Sequence, residues 1–187
     1  QCGRSRKHSI EELRKKIYDI IWEEQLQRGV AAEISQALME EVYTTPKPGL
    51  VDREDTGAHT DMDCQTFQKS TEAIAEDLAA MFEAGYSWEA DPKTLFPLLR
   101  ERGKKTEEKM FVATGGVNTH KGIIFTIGIL AAAAGISLRN YGKIESEDVC
   151  RISLEMTKKE LEQDLRKLKQ SSGITHGEKI CLLYTSP

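Results

Sequence analysis

The chain has 187 residues, 26 Lys and Arg against 30 Asp and Glu, and a net charge of −4. That length suits one domain with a core of its own, and 30% charged residues without Pro-rich or Ser/Gly-rich tracts exclude long low-complexity disorder. A mildly acidic balance supplies no basic footprint for duplex nucleic acid, so no nucleic-acid partner is expected. In chain order, Ser9 and Glu12 have capping-box spacing, and Ile10, Leu13, Ile17, Ile20 and Ile21 recur at three and four residues, predicting a helix to about residue 27. Gly29 punctuates, and Val30, Ile34, Leu38 and Val42 predict a second helix ending near Tyr43, where the prolines of TTPKPG forbid continuation. After a long polar loop, Phe67, Ser70, Thr71, Ile74, Leu78, Met81 and Phe82 mark a helix that stops at Gly85 in a left-handed cap. Asp91 and Pro92 read as an N-cap and a first helical proline, and Pro97 and Gly103 divide the following segment into two short helices. A second loop then precedes GIIFTIGILAAAAG (122–135), which is shorter than the roughly 20 residues that cross a bilayer and predicts a buried core helix with no membrane partner. Beyond a linker at 140–144, Ser146 caps a charged helix with apolar positions at Val149, Ile152, Leu154, Met156, Leu161, Leu165 and Leu168. No alternating strand pattern appears, so the expected fold class is all-α: a multi-helix single domain with two long functional loops.

Cys2, Cys64, Cys150 and Cys181 lie far apart without C-x-x-C spacing, and no basic-then-apolar leader opens the chain, which favours a cytoplasmic protein with free thiols. A first residue of Gln rather than Met is expected of a cut chain or of a fragment of a longer one.

The two loops are too particular to be linkers. The first, TTPKPGLVDREDTGAHTDMD (44–63), exceeds ordinary connection lengths, is stiffened by Pro46, Pro48 and Gly49, and carries an apolar anchor in Leu50 and Val51. Its chemistry lies in Lys47, Asp52, Arg53, His59, Asp61 and Asp63. Asp61 and Asp63 with His59 have the donors to hold a hard cation such as Mg²⁺, or to serve as base and orienting group. Equally, Thr60 or Asp61 starts the next helix as its cap, and Asp52 and Arg53 form a surface pair. The second loop, ATGGVNTHKG (113–122), feeds the apolar helix. Gly115 and Gly116 let backbone amides approach an anion at a helix N-terminus, with Lys121 adding a full charge; a plain turn is the alternative use of the same glycines. It is not a Walker loop, because the spacing and the preceding strand are both absent. Glu40 and Glu41 either project toward these loops or form a solvated face, and Arg100, Arg102, Lys104 and Lys105 either steer a polyanion or form a hydrated turn. Together the loops suggest a site for a phosphorylated substrate bound with a metal.

TTPKPGLVDR (44–53), GAHTDM (57–62) and TGGVNTHKG (114–122) resemble the signatures of the triphosphoribosyl-dephospho-CoA synthase family, which builds the precursor of the citrate lyase prosthetic group. A related branch serves malonate decarboxylase, and these motifs fit either. CGRSRKHSIEEL (2–13) resembles the C-terminal tail of apo-citrate lyase phosphoribosyl-dephospho-CoA transferase, which in some organisms is fused to the synthase; this favours citrate lyase. The implied division is 1–28, the tail of a preceding transferase and a junction helix, then 29–180, a synthase-like helical domain incomplete at its C-terminal end. In the remainder, 181–187, CLLYTSP looks like a translated, non-native sequencing-adaptor tail.

The resemblance implies a reaction between ATP and 3′-dephospho-CoA in which the CoA ribose 2′-hydroxyl attacks C1′ of the ATP ribose and adenine leaves. Displacement at an anomeric carbon passes through an oxocarbenium-like state and asks for a base, a negative surrounding at the ribose and hydrogen bonding to adenine. On the matching positions, Lys47, Arg53 and Lys121 with the Gly115 and Gly116 amides and Mg²⁺ suit the triphosphate, with Asn118 and Thr119 as orienting hydrogen bonders. Asp52, His59, Asp61 and His120 are the catalytic candidates, and Asp61 and Asp63 the metal ligands. ATP and 3′-dephospho-CoA are the expected partners, beside a fused or cooperating transferase. The competing classes are a truncated, non-catalytic nucleotide-binding module and a phosphotransferase, which would release ADP.

Overall fold

The structure, a computed structural model, describes residues 10–169. Five α-helices follow one another: α1 (Ile10–Tyr43), α2 (Cys64–Tyr86), α3 (Phe96–Ala113), α4 (Lys121–Tyr141) and α5 (Ser146–Lys169), with a 3-10 turn at Pro92–Thr94 before α3. No strand occurs among the described residues, in agreement with the all-α expectation. The Ser9 cap, most of the transferase-like tail, Cys2, Cys181 and the adaptor-like segment lie outside the described residues.

Helix α2 is central and packs on α1, α3 and α4, while α4 in turn carries α5. Its buried residues Ser70, Thr71, Ile74, Leu78, Met81, Phe82 and Gly85 repeat at three and four, so one helical stripe faces the core. Across from it, small residues on α4 let the two backbones approach. A Cβ on Gly85 would sit 1.9 Å from the Ala132 carbonyl oxygen, and one on Gly135 would sit 2.1 Å from that of Phe82. Leu38, Leu95, Phe96, Leu99, Met110, Ile124, Ile136, Ile152 and Met156 complete the core from the other elements.

Several boundaries differ from the sequence expectation. Helix α1 runs unbroken through Gly29, which is exposed with open space around it; a glycine there costs a helix about 1 kcal/mol relative to alanine, too little to end an amphipathic run. Gly85 is interior to α2 rather than its left-handed cap, because its role is the close approach to α4, and the helix ends at Ser87. Helix α3 is one helix, not two. Pro97 falls in its first turn, where a missing N–H removes no bond, and Gly103 lies on the stripe of Phe96, Leu99, Thr106 and Met110 that faces inward. At 21 residues, α4 is by length and composition apolar enough to cross a membrane, which the shorter run 122–135 was not; 44% of its most apolar window is buried inside this fold. Helix α5 begins at Ser146 itself, whose hydroxyl meets the Glu147 carboxylate at 3.2 Å.

Candidate active site

The first loop is organised from within by Asp52, which is 6% exposed. Its Oδ1 accepts the amides of Glu54 (2.8 Å) and Asp55 (3.1 Å); its Oδ2 accepts the Thr45 hydroxyl (2.9 Å) and the Lys47 amide (3.0 Å). Four donors on two oxygens stabilise the charged form and hold this carboxyl well below the usual carboxylate range. A carboxylate so saturated is a poor proton acceptor. The structure therefore corrects the base assignment for Asp52: it positions the loop. Nor does it pair with Arg53, whose guanidinium stacks 4.9 Å above the Tyr43 ring at the end of α1. The loop closes on itself at Gly57, where φ is +58° and a Cβ would sit 2.5 Å from the Gly49 carbonyl carbon. The Cys64 thiol donates to the Asp52 carbonyl at 2.9 Å and so ties the loop to the first residue of α2.

Of the remaining acidic candidates, Asp63 is the N-cap of α2. Its Oδ1 accepts the Thr66 amide and hydroxyl, both at 2.8 Å, and these bonds lower its pKa. The capping role thus falls on Asp63 rather than on Thr60 or Asp61. Asp61 is exposed, with Oδ1 3.8 Å from Nδ1 of a half-buried His59, beyond hydrogen-bond distance. Among the described residues no three His, Cys, Asp or Glu side chains gather as a metal cage. The Asp61 and Asp63 pair therefore does not form a protein-built metal centre, although a Mg²⁺ bound mainly by phosphates needs only one or two carboxylates.

The second loop divides its residues between two faces. The amides of Gly115 and Gly116 donate to the carbonyls of Val112 (3.5 Å) and Phe111 (2.7 Å), so they close the end of α3 instead of cradling an anion. Lys121 points away from the first loop and pairs with Glu107 of α3. There it lines a cleft of about 360 Å³ with Arg100, Lys104 and Phe125, distinct from the loop residues. Asn118 is exposed. Thr119 and His120 turn inward. The His120 ring is 1% exposed, its Nδ1 lies 2.7 Å from Ser70 Oγ, and the Thr119 hydroxyl donates to the same oxygen at 2.7 Å. Phe67 meets the ring edge-on at 5.0 Å. Burial pushes the His120 pKa down to about 4, with the charge of Glu41 opposing.

Glu41 borders the first loop. It stands on the last turn of α1, its Oε1 and carbonyl oxygen accept from Lys47 Nζ at 3.0 and 2.8 Å, and its field reaches the His120 ring. Both loops are also fastened to the first two turns of α2, one through Cys64 and the other through Phe67 and Ser70. The structure brings together Lys47, Asp52, Arg53, Thr119 and His120 around this end of the bundle, and leaves Lys121 on another face. Ser70 was read in the sequence only as part of a helix stripe, and for Glu41 a solvated face was at least as strong a reading as the site. The hydroxyls of Ser70 and Thr71 in a stripe otherwise made of Phe, Ile, Leu and Met were the available signal for Ser70.

Fold and site define an all-α domain whose two polar loops are held over one helix start by a buried imidazole and a buried carboxylate. The chain belongs to the ATP:dephospho-CoA triphosphoribosyl transferase family, whose model matches residues 27–186. It is similar to proteins named "Probable 2-(5''-triphosphoribosyl)-3'-dephosphocoenzyme-A synthase" from Streptococcus pyogenes serotypes M3, M1 and M28. Each is 39% identical over 172 residues, covering 84% of this chain and 58% of the relative. The chain thus spans little more than half the length of these relatives. No solved structure matches it.

Proposed function

We propose that this chain transfers the 5-triphosphoribosyl group of ATP to the ribose 2′-hydroxyl of 3′-dephospho-CoA, releasing adenine. The observation that carries the reading is the fastening of both motif loops to the first two turns of α2, one through Cys64 and the other through Phe67 and Ser70, with Glu41 held to the first loop by Lys47. Family membership gives that geometry its reaction. The bond from the 2′-oxygen to C1′ forms as the bond from C1′ to the adenine nitrogen breaks, and the hydroxyl proton passes to a carboxylate. A proton returned to the departing nitrogen releases adenine as the neutral base and restores the carboxylate. Glu41 replaces Asp52 as the proposed acceptor, because Asp52 has no oxygen left for a new proton. Lys47 and Arg53 supply positive charge for the triphosphate, and Asp61 is the exposed carboxylate that a phosphate-bound Mg²⁺ would meet. The product would serve as prosthetic-group precursor for citrate lyase in the cytoplasm, consumed by a phosphoribosyl-dephospho-CoA transferase.

The test is incubation of the chain with ATP, Mg²⁺ and 3′-dephospho-CoA, with products separated and weighed by mass spectrometry. Adenine appearing in step with triphosphoribosyl-dephospho-CoA is expected, and Glu41→Gln should slow it by about 10²-fold or more. ADP instead of adenine would establish a phosphotransferase. Neither product from this chain nor from one extended to the relatives' length would leave a binding module and overturn the proposal.

A further inference from the structure

We propose that Ser70 and Thr119 form a hydroxyl relay that holds His120 as the Nε2–H tautomer, making Ser70 a positioning residue for that imidazole. A hydroxyl has one proton to give and two lone pairs to receive. Ser70 Oγ has two partners, the Thr119 hydroxyl and His120 Nδ1, each at 2.7 Å, and it is fully buried. With Thr119 donating to Ser70, the Ser70 proton is free only for Nδ1. Nδ1 then accepts, and the ring's own proton must sit on Nε2. The reverse chain, Nδ1–H to Ser70 and Ser70 to Thr119, would need the Thr119 hydroxyl as the acceptor of that bond, whereas Thr119 is its donor.

The ring is also fixed mechanically. Phe67 stands edge-on at an interplanar angle of 86°, and the His120 backbone N–H donates to the Met110 sulfur at 3.2 Å. Nε2 has no hydrogen-bond partner among the described residues. A buried donor left without an acceptor is costly. The tautomer does not rest on the triphosphoribosyl-transfer reading.

The test is two-bond ¹H–¹⁵N correlation NMR of the uniformly labelled full chain at neutral pH. The chain has four histidines, and His120→Gln assigns the signal. The wild type should show an unprotonated Nδ1 and a protonated Nε2. Thr119→Ser, which keeps the hydroxyl, should preserve that pattern, whereas Ser70→Ala and Thr119→Val should each lose it to a tautomer mixture. Thr119 is partly exposed, so Thr119→Val leaves a folded variant to read if Ser70→Ala does not. A protonated Nδ1 in the wild type, or a pattern unmoved in Thr119→Val, would overturn the proposal. Because none of these readouts needs turnover, an inactive chain with the expected spectrum would count against the transfer reaction alone.

Discussion

At the scale of single residues, the interior of the site is set by two ionisable groups with opposite preferences. His120 is buried as the neutral ring, with a pKa of about 4 in the fold against about 6.5 in an unfolded chain. Between those values the unfolded chain binds more protons, so stability rises with pH. The contribution is complete above about pH 6.5 and is lost as pH falls toward 4, amounting to about 3 kcal/mol. Urea midpoints at pH 7.5 and 4.5 should therefore differ more for the wild type than for His120→Gln; parallel shifts would show that the ring is not the group responsible. Asp52 follows the same sign in a lower window: its lowered pKa keeps its contribution intact until the pH drops below the ordinary aspartate value of 3.8. Asp52→Asn would turn an amide toward four donors, so hydrogen exchange across 44–63 should accelerate and adenine release should fall sharply, while helical content stays. These roles were only partly legible in the sequence. An aspartate in a polar loop looks alike whether its oxygens are saturated by backbone amides or open to substrate, and only the turn at 45–55 decides it.

At the scale of elements, glycines separate the sites where backbone contact matters from those where it does not. Gly135→Ala would push a methyl into the Phe82 carbonyl and the Tyr86 amide, and Gly85→Ala would do the same at Ala132; each should destabilise by about 3 kcal/mol in urea unfolding. Gly29→Ala, on an exposed and open stretch of α1, should stabilise by up to about 1 kcal/mol. Equal effects at the three positions would contradict the close α2–α4 packing. The helices themselves were readable because apolar residues recur at helical spacing over whole segments. Some ends were readable too, at Tyr43 before the prolines and at Ser146; the false breaks came from Gly29, Gly85, Pro97 and Gly103, which are breakers by type but here sit in open space, at a helix contact, in a first turn and on a buried stripe. On α3 and α4, Lys121 and Glu107 form a half-exposed pair; surface pairs of this kind are worth about 0–1 kcal/mol, so Lys121→Ala should leave stability nearly unchanged.

At the scale of the whole molecule, the chemistry sits apart from the large cavities. An apolar groove of about 840 Å³ runs between α1, α4 and α5, lined by Leu26, Val30, Ile34, Ile127 and Leu130, and neither it nor the smaller α3–α4 cleft is bordered by Lys47, Asp52 or His120. The first half of α1 also leaves Leu13, Ile20 and Ile21 about half exposed. A site formed by loops over a helix start is invisible to composition and periodicity, and it was legible in the sequence only because three separated motifs resemble one family. What joins the loops is the single bundle end they share. The most direct measurement is therefore an ATP titration of the ¹⁵N-labelled chain, following the backbone amides of 44–63 and 114–120 together. One site predicts that both loops shift with a common Kd; shifts confined to one loop, or two different constants, would contradict it.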